Sequence, residues 1–517
     1  MSERFPDPNE EQFNPISTME SAPILEETYP LIPPFSYCLI QTDPITNRTQ
    51  YIVVEVPLER DEQKKFEIIK QILIEELDVD FSLLKEKSRA AEYLRRKVFD
   101  IVKDYNLKVQ DESFDRILYY VQRDLLGFGK IEPILKDHMI EDISCDGVGV
   151  PIYVWHRKYE SIPTNVAFEE AEELDKFVIK LAQRSGRHIS VANPIVDASL
   201  EDGSRINITY GKEVTQRGST FTIRKFKSDP MTITDLIILN SLDPLIGAFY
   251  WFVIENRHSV MIAGGVAAGK TTLLNCISMF IQPDAKIISI EDTAEVNLPH
   301  ENWIPSVTRL GFGGIEKDGK KRGEISMFDL LKAALRQRPD YILVGEIRGE
   351  EAYMLFQSMA TGHLGLSTIH GDSVESVIHR LESEPMNIPR SLLRSLDIIA
   401  VQAKVRFSGK FVRRAVEVTE IAGVDPVTNE LLTNPIFKWN PREDNYSFFG
   451  RSYIVERITE RTGYTEKECW QEIEQRKTVL RWMVKKKIRH WEDVSTIIRE
   501  YYSNPEKTFE KAKRGLQ

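Results

Sequence analysis

The stretch Gly264-Gly265-Val266-Ala267-Ala268-Gly269-Lys270-Thr271 has the pattern G-x-x-x-x-G-K-T. The apolar run 259–263 ahead of it is typical of a strand, and the segment 272–277 behind it is typical of a helix. A phosphate-binding loop needs this context, because glycines let backbone N–H groups turn towards a phosphate at a helix N-terminus. We therefore predict that the loop binds nucleotide phosphates. The Lys270 ammonium would reach the β- and γ-phosphates, and the Thr271 hydroxyl would bind Mg²⁺.

Two acidic segments follow this loop. The first is a strand-like stretch that ends in Glu291 and Asp292, with Glu295 three residues further on. The second is an apolar run that ends at Glu346. Side chains just beyond the carboxyl ends of parallel strands face the ligand crevice of an α/β sheet. We therefore expect these carboxylates to lie near Mg²⁺ and an attacking water.

Two histidines, His363 and His370, stand on either side of a short apolar strand pattern. We predict that they sense the γ-phosphate or contact a neighbouring subunit. The alternative is that they are surface or hydrogen-bonded residues without a catalytic function.

The composition excludes several classes of protein. The chain has 517 residues, a formal net charge of −11 and four widely spaced cysteines without a C-x-x-C pair. These features argue against nucleic acid as the main partner, a zinc module and a disulfide framework, and they favour a reducing intracellular compartment. No apolar run approaches the ~18 residues of a transmembrane helix, so we expect any membrane association to be peripheral.

The succession of patterns predicts an α/β protein with several domains. The expected divisions are an acidic, proline-containing flexible tail (1–34), a small α/β domain (35–112), a second α/β domain (113–228) and a region of alternating strands and helices with a mostly parallel sheet (229–517), of which the end (451–517) forms charged helices.

Four motifs together carry a resemblance to a known family. They are, in order, G-G-V-A-A-G-K-T-T at 264–272, E-D-T-A-E at 291–295, R-P-D-Y-I-L-V-G-E-I-R at 338–348 and A-T-G-H-L-G-L-S-T-I-H at 360–370. Over about residues 35–450 the chain resembles the secretion ATPases of type II and type IV pilus systems. The stretches 218–226, 297–304 and 420–423 are similar to the archaeal branch, which includes the archaellum motor ATPase.

The resemblance implies a C-terminal RecA-like P-loop ATPase domain that uses ATP and Mg²⁺. It implies a function for each matching residue: nucleotide binding by Gly264, Gly265, Val266, Ala267, Ala268, Gly269, Lys270, Thr271 and Thr272; Mg²⁺ binding by Thr271 and Glu346; and catalysis by Glu295, supported by Glu291 and Asp292, and by Glu346, His363 and His370.

The family also places arginines at the nucleotide. Arg205 and Arg224 match positions in the N-terminal half that reach over the triphosphate, and Arg336 and Arg348 match basic positions beside the third motif. A guanidinium on the γ-phosphoryl oxygens is worth about 10³–10⁵ in rate. The alternative for each arginine is a surface ion pair worth at most about 1 kcal/mol.

The resemblance further implies a hexameric cytoplasmic ring at the inner face of the membrane. Its partners would be a polytopic platform protein and the machinery of an archaellum, a type IV pilus-like filament or a secretion system. The alternatives are a P-loop ATPase that translocates nucleic acid, and a regulatory nucleotide-binding module. The segment 476–489 has seven basic residues and no acid, which indicates either contact with anionic lipid or a solvated helix face.

Overall fold

The computed structural model describes residues 23–76, 87–226, 230–309, 311 and 322–517. The chain divides into two compact units, Met1–Phe226 and Lys227–Gln517. The predicted boundary after residue 228 lies two residues beyond the observed one. The predicted α/β fold class is confirmed, because each unit combines a large sheet with helices.

The first unit is built on one nine-stranded sheet among its described residues. Its strands are β1 (Ile24–Ile32), β2 (Ser36–Thr42), β3 (Thr49–Glu55), β4 (Ile140–Cys145), β5 (Pro151–His156), β6 (Glu160–Ala167), β7 (Ile195–Ser199), β8 (Arg205–Thr209) and β9 (Thr220–Arg224). The spatial order is β1-β2-β3-β6-β5-β4-β9-β8-β7, and every neighbouring pair is antiparallel except β3 and β6. The alternation of buried and exposed residues along β8 and β9 leaves one face of these strands open to solvent.

The helices of this unit pack in two places. They are α1 (Arg60–Glu76), α2 (Lys87–Asp104), α3 (Asp111–Leu125), α4 (Glu132–Lys136) and α5 (Ala171–Arg184). Helix α5 lays Leu174, Val178 and Leu181 on the sheet at the spacing of one helix face. Helices α1, α2 and α3 form a separate apolar cluster around Ile69 and Leu94.

Two predictions for this unit need correction. Residues 24–32, assigned to a flexible tail, form β1, and Pro30 is tolerated there because β1 is an edge strand. The first 22 residues of that tail lie outside the described residues. The expected division after residue 112 is also wrong, because it cuts α3, while β2 and β3 join the same sheet as the later strands.

The second unit has a mostly parallel sheet, as predicted. Its strands are β10 (Val260–Gly264), β11 (Ile287–Glu291), β12 (Trp303–Val307), β13 (Tyr341–Val344), β14 (Leu364–His370), β15 (Ile398–Phe407), β16 (Lys410–Val424), β17 (Leu431–Asn440) and β18 (Asn445–Phe448). The order is β12-β11-β13-β14-β10-β15-β16-β17-β18. The first six strands run parallel, and β16 to β18 extend the sheet as an antiparallel meander that the patterns did not predict.

Helices cover both faces of this sheet. They are α6 (Ile233–Ile238), α7 (Pro244–Glu255), α8 (Lys270–Ser278), α9 (Met327–Leu335), α10 (Glu351–Ala360), α11 (Val374–Glu382), α12 (Arg390–Leu393), α13 (Tyr453–Thr462), α14 (Glu466–Lys485), α15 (Trp491–Ser503) and α16 (Pro505–Leu516). Helix α7 is apolar all round because the C-terminal helices bury its outer side. The absent side chain of Gly247 lets Leu480 of α14 approach closely.

The charged C-terminal helices are part of the core rather than an appendage. Arg476 of α14 is only 4% exposed, and its guanidinium binds the carboxylates of Glu255 and Glu472. Three more of the seven basic side chains in 476–489 have partners: Lys477 with Glu474, Lys485 with the carbonyl of Leu516, and Arg489 with Asp235. These contacts leave a smaller basic surface than the sequence suggested. Within the described ranges, no helix is both long enough and apolar enough to cross a bilayer.

Candidate functional site

The G-x-x-x-x-G-K-T loop leaves the centre of the parallel sheet. Strand β10 lies between β14 and β15 and ends at Gly264, and α8 begins at Lys270. Ala267 and Gly269 have φ values of +56° and +95°, so the backbone curls as a phosphate cradle requires. A side chain at Gly264 would overlap the carbonyl oxygen of Gln402 on β15, which explains the glycine at this position.

Lys270 lies folded back over the loop. Its Nζ donates to the carbonyl oxygen of Gly265 at 3.0 Å. Burial lowers the pKa of Lys270, and the nearby carboxylates of Glu346 and Glu295 act in the opposite direction. The ammonium therefore stands in a partly desolvated crevice, where its attraction for a phosphate is stronger than in water.

Glu346 lies just beyond the carboxyl end of β13, as the sequence predicted. Its Oε2 accepts from the guanidinium of Arg348, with Nε at 3.0 Å. His370 Nε2 is 3.1 Å from Oε1, yet Oε1 is buried and has no hydrogen bond of acceptable geometry. A buried carboxylate oxygen without a donor is a suitable ligand for a hard cation, so Glu346 fits Mg²⁺.

Glu291 organises the acidic loop that follows β11. It is 2% exposed, and its Oε1 accepts the backbone N–H groups of Glu295 and Val296, both at 3.0 Å. Burial raises the pKa of Glu291 to about 7. Glu295 itself is exposed to solvent. Glu291 thus holds the backbone from which the Glu295 carboxylate projects.

Asp292 is tied to the other side of this loop. Its Oδ1 accepts from the hydroxyl of Thr308 at 3.2 Å, and its Oδ2 is 3.8 Å from Nη1 of Arg348. Arg348 therefore bridges the carboxylates at the ends of β11 and β13. This places the predicted Arg348 among the predicted acids.

The two histidines have different positions. His370 ends β14 and is the register partner of Gly264, so it lies beside the loop. Burial and the Lys270 charge lower the pKa of His370, while the Glu346 carboxylate opposes them. His363 precedes β14 and lies at the opposite end of that strand, about 20 Å from His370.

Arg336 also lies at the amino ends of the parallel strands, away from the phosphate loop. It follows α9 and precedes β13, whereas Glu346 follows that strand. His363 and Arg336 are therefore separated from the phosphate loop of their own chain, because each stands at the amino end of its strand, and their predicted catalytic roles stay predictions. A contact of His363 with a neighbouring subunit remains a proposal.

Sequence reasoning missed one residue at the loop. Arg413 of β16 donates from Nε to the carbonyl oxygen of Ala267 at 2.9 Å, and its Cδ packs beside Gly269. Arg413 lies 146 residues from Ala267, and only the pairing of β15 with β16 brings them together. No local pattern distinguishes it from the other arginines.

Arg205 and Arg224 of the first unit form a cross-strand pair on β8 and β9. Both are exposed, and Asp142 of β4 is the next residue in the same row, with its Oδ1 3.2 Å from Nε of Arg224. Like charges directly opposite each other are destabilising, and one carboxylate offsets only one of the two guanidinium groups. The row is therefore suited to an anion.

Comparisons with known proteins identify similar chains. Residues 124–503 match the family model described as Type II/IV secretion system protein. The chain is 38% identical over 478 residues to Uncharacterized protein MJ0900 of Methanocaldococcus jannaschii, covering 88% of this chain and 85% of that protein. It is 29% identical over 343 residues to the type IV secretion system protein VirB11 of Bartonella henselae, covering 56% of this chain and 91% of that protein. Among solved structures, the Legionella pneumophila ATPase DotB matches 70% of this chain and 92% of its own, with a TM-score of 0.39 and 17% identity.

Proposed function

Because the chain belongs to the type II/IV secretion system protein family, we propose that it is a ring-forming ATPase that works at the inner face of the cell membrane. It couples ATP hydrolysis to the assembly of an archaellum or a type IV pilus-like filament, or to a related secretion machine. The observation that carries the proposal is the meeting of Lys270, Glu346 and the Glu295 loop at the carboxyl edge of one parallel sheet.

The loop and the first turn of α8 hold the triphosphate. Backbone N–H groups and the Lys270 ammonium bind the β- and γ-phosphate oxygens. Thr271 and Glu346 hold Mg²⁺, whose charge neutralises those oxygens. Glu295 accepts a proton from the attacking water, because it is the exposed carboxylate on the loop that Glu291 anchors.

Arg205 and Arg224 stabilise negative charge on the γ-phosphoryl oxygens. An anion between these two guanidinium groups relieves their mutual repulsion. Phosphate binding therefore lowers the free energy of this pair of arginines. Loss of the γ-phosphate on hydrolysis then weakens this contact, so each catalytic cycle alternates between an engaged and a released state of the arginines.

The partners follow from the family. The working form is a homohexamer in the cytoplasm that contacts a polytopic platform protein and acts on filament or secretion machinery. Similarity to the archaeal protein MJ0900 supports the archaeal branch, and within that branch the proposal is an archaellum-type motor. A direct contact with lipid rests on the basic side chains of 476–489 that lack partners within the described chain: Arg481, Lys486 and Lys487.

A phosphate-release assay tests the ATPase claim. The full chain is compared with Lys270→Ala in Mg²⁺ and ATP, alone, with anionic vesicles and with DNA. We expect turnover by the wild type and its loss in Lys270→Ala. Undiminished turnover by Lys270→Ala would refute the proposal, and stimulation by DNA but not by vesicles would favour translocation of nucleic acid instead.

The arginines are tested in the same assay. We expect Arg224→Ala to slow phosphate release by about 10³-fold or more. Arg60→Ala removes another exposed arginine of the same unit and serves as the matched control. If Arg224→Ala turns over at the rate of Arg60→Ala, the arginines do not act on the γ-phosphate.

A further inference from the structure

The hairpin of β15 and β16 rises beyond the carboxyl edge of the sheet, beside the phosphate loop. Gly264, the last residue of β10, is the register partner of Gln402, and β15 continues from there to Phe407. These five further residues extend about 17 Å. The hairpin therefore forms a wall next to the loop.

One face of this wall is turned to the loop. Arg413 reaches the Ala267 carbonyl from it, and Lys404 is the cross-strand partner of Arg413. The Lys404 Nζ lies 4.6 Å from the centre of the Phe411 ring, so Phe411 shares this face. Phe411 precedes Arg413 by two residues on β16. It therefore lies about 7 Å closer than Arg413 to the tip of the hairpin.

Phe411 is 56% exposed, so its ring is accessible from solvent. The Lys404 ammonium lies over one face of the ring, and the exposed part of the ring offers a surface on which a flat ligand can stack. Residues 403–415 contain five basic side chains and no acid, so the surroundings of the ring attract an anion.

The strand order gives the direction of a nucleotide on the loop. β14 and β13, which end at His370 and next to Glu346, lie on one side of β10, and β15 lies on the other. The γ-phosphate end belongs with the catalytic carboxylates on the β14 side. The nucleoside end of the same molecule consequently extends to the β15 side, where the hairpin stands.

We propose that this face of the hairpin is the nucleoside subsite of the bound triphosphate. The base stacks on Phe411, and Lys404 and Arg413 line the passage from the base to the phosphates. The inference rests on the proposed function, since it requires that the loop holds a nucleotide. It adds the group that distinguishes a nucleoside triphosphate from inorganic polyphosphate.

The test measures binding of Mg-ATP and of inorganic tripolyphosphate to the full chain by calorimetry. We expect Phe411→Ala to weaken Mg-ATP by roughly 10-fold or more, the effect of losing one base–aromatic stack, and to leave tripolyphosphate within twofold. Phe411→Trp should restore the affinity for ATP. Phe449→Ala is the matched control. Phe449 is 57% exposed and follows β18, which is the outermost strand of the sheet and lies away from the loop.

Three results would refute the assignment of the nucleoside subsite to this face of the hairpin. They are an unchanged ATP affinity in Phe411→Ala, an equal loss for tripolyphosphate, and an equal loss of ATP binding in Phe449→Ala. Failure of the proposed function gives a different pattern, since wild-type protein would then bind neither ligand, or Lys270→Ala would bind both as the wild type does.

Discussion

Replacing Glu291 with glutamine should stabilise the second unit at alkaline pH without disturbing the acidic loop. The carboxylate is 2% exposed, and its pKa is raised by burial from 4.5 to about 7. A pKa raised on folding contributes stability that is fully present below pH 4.5 and lost as the pH rises through about 7. A rise of about 2.5 units corresponds to about 3 kcal/mol. Glutamine carries no charge to desolvate, and it keeps an oxygen that accepts the two backbone N–H groups.

The assay is urea unfolding of the nucleotide-free protein between pH 5 and pH 8. We expect Glu291→Gln to be about 3 kcal/mol more stable than the wild type at pH 8 and to approach it at pH 5. Its turnover at pH 8 should stay within a few-fold of the wild type. Glu291→Ala removes both acceptor contacts and should lower turnover. The matched control Glu295→Gln removes an exposed carboxylate and should leave stability within about 0.5 kcal/mol. Parallel stability profiles for Glu291→Gln and the wild type across this pH range would refute the reasoning.

Two further predictions concern packing. Arg476→Ala leaves the carboxylates of Glu255 and Glu472 without their buried partner and should cost about 3–5 kcal/mol in urea unfolding, whereas the exposed Arg481→Ala on the same helix should cost less than about 0.5 kcal/mol. Equal effects of the two would contradict the burial of Arg476. Gly264→Ala forces β10 and β15 apart and should lower the melting temperature and ATP affinity, whereas a side chain at Gly265 meets nothing within 4 Å, so Gly265→Ala should leave the melting temperature unchanged. Equal melting temperatures for the two alanine variants would disprove the steric argument.

The sequence predicted the site wherever a residue lies just beyond the end of a strand. Glu291, Glu346 and His370 follow apolar runs, and parallel strands bring their carboxyl ends to one edge. The loop itself was predicted because its glycines are required by backbone conformation and close approach, which a short pattern expresses completely.

What the sequence did not show also has physical reasons. His363 and Arg336 belong to the same motifs as Glu346 and His370, but a motif that spans a strand has one part at each end of that strand, so its residues do not all lie beside the loop. Arg413 could not be predicted because a hairpin brings it to the loop from 146 residues away. The proline-containing segment that forms β1 has the composition of a tail, and only its pairing with β2 reveals a strand.

The most direct test of the central claim is single-turnover hydrolysis by Glu295→Gln and Glu346→Gln, with Mg-ATP binding measured on the same preparations. The account predicts that Glu295→Gln binds Mg-ATP within a few-fold of the wild type, that Glu346→Gln binds it more weakly because a Mg²⁺ ligand has lost its charge, and that both variants at saturating Mg-ATP release phosphate about 100-fold more slowly or worse. Phosphate release at the wild-type rate by either variant would show that the carboxylates at this edge of the sheet do not perform the chemistry.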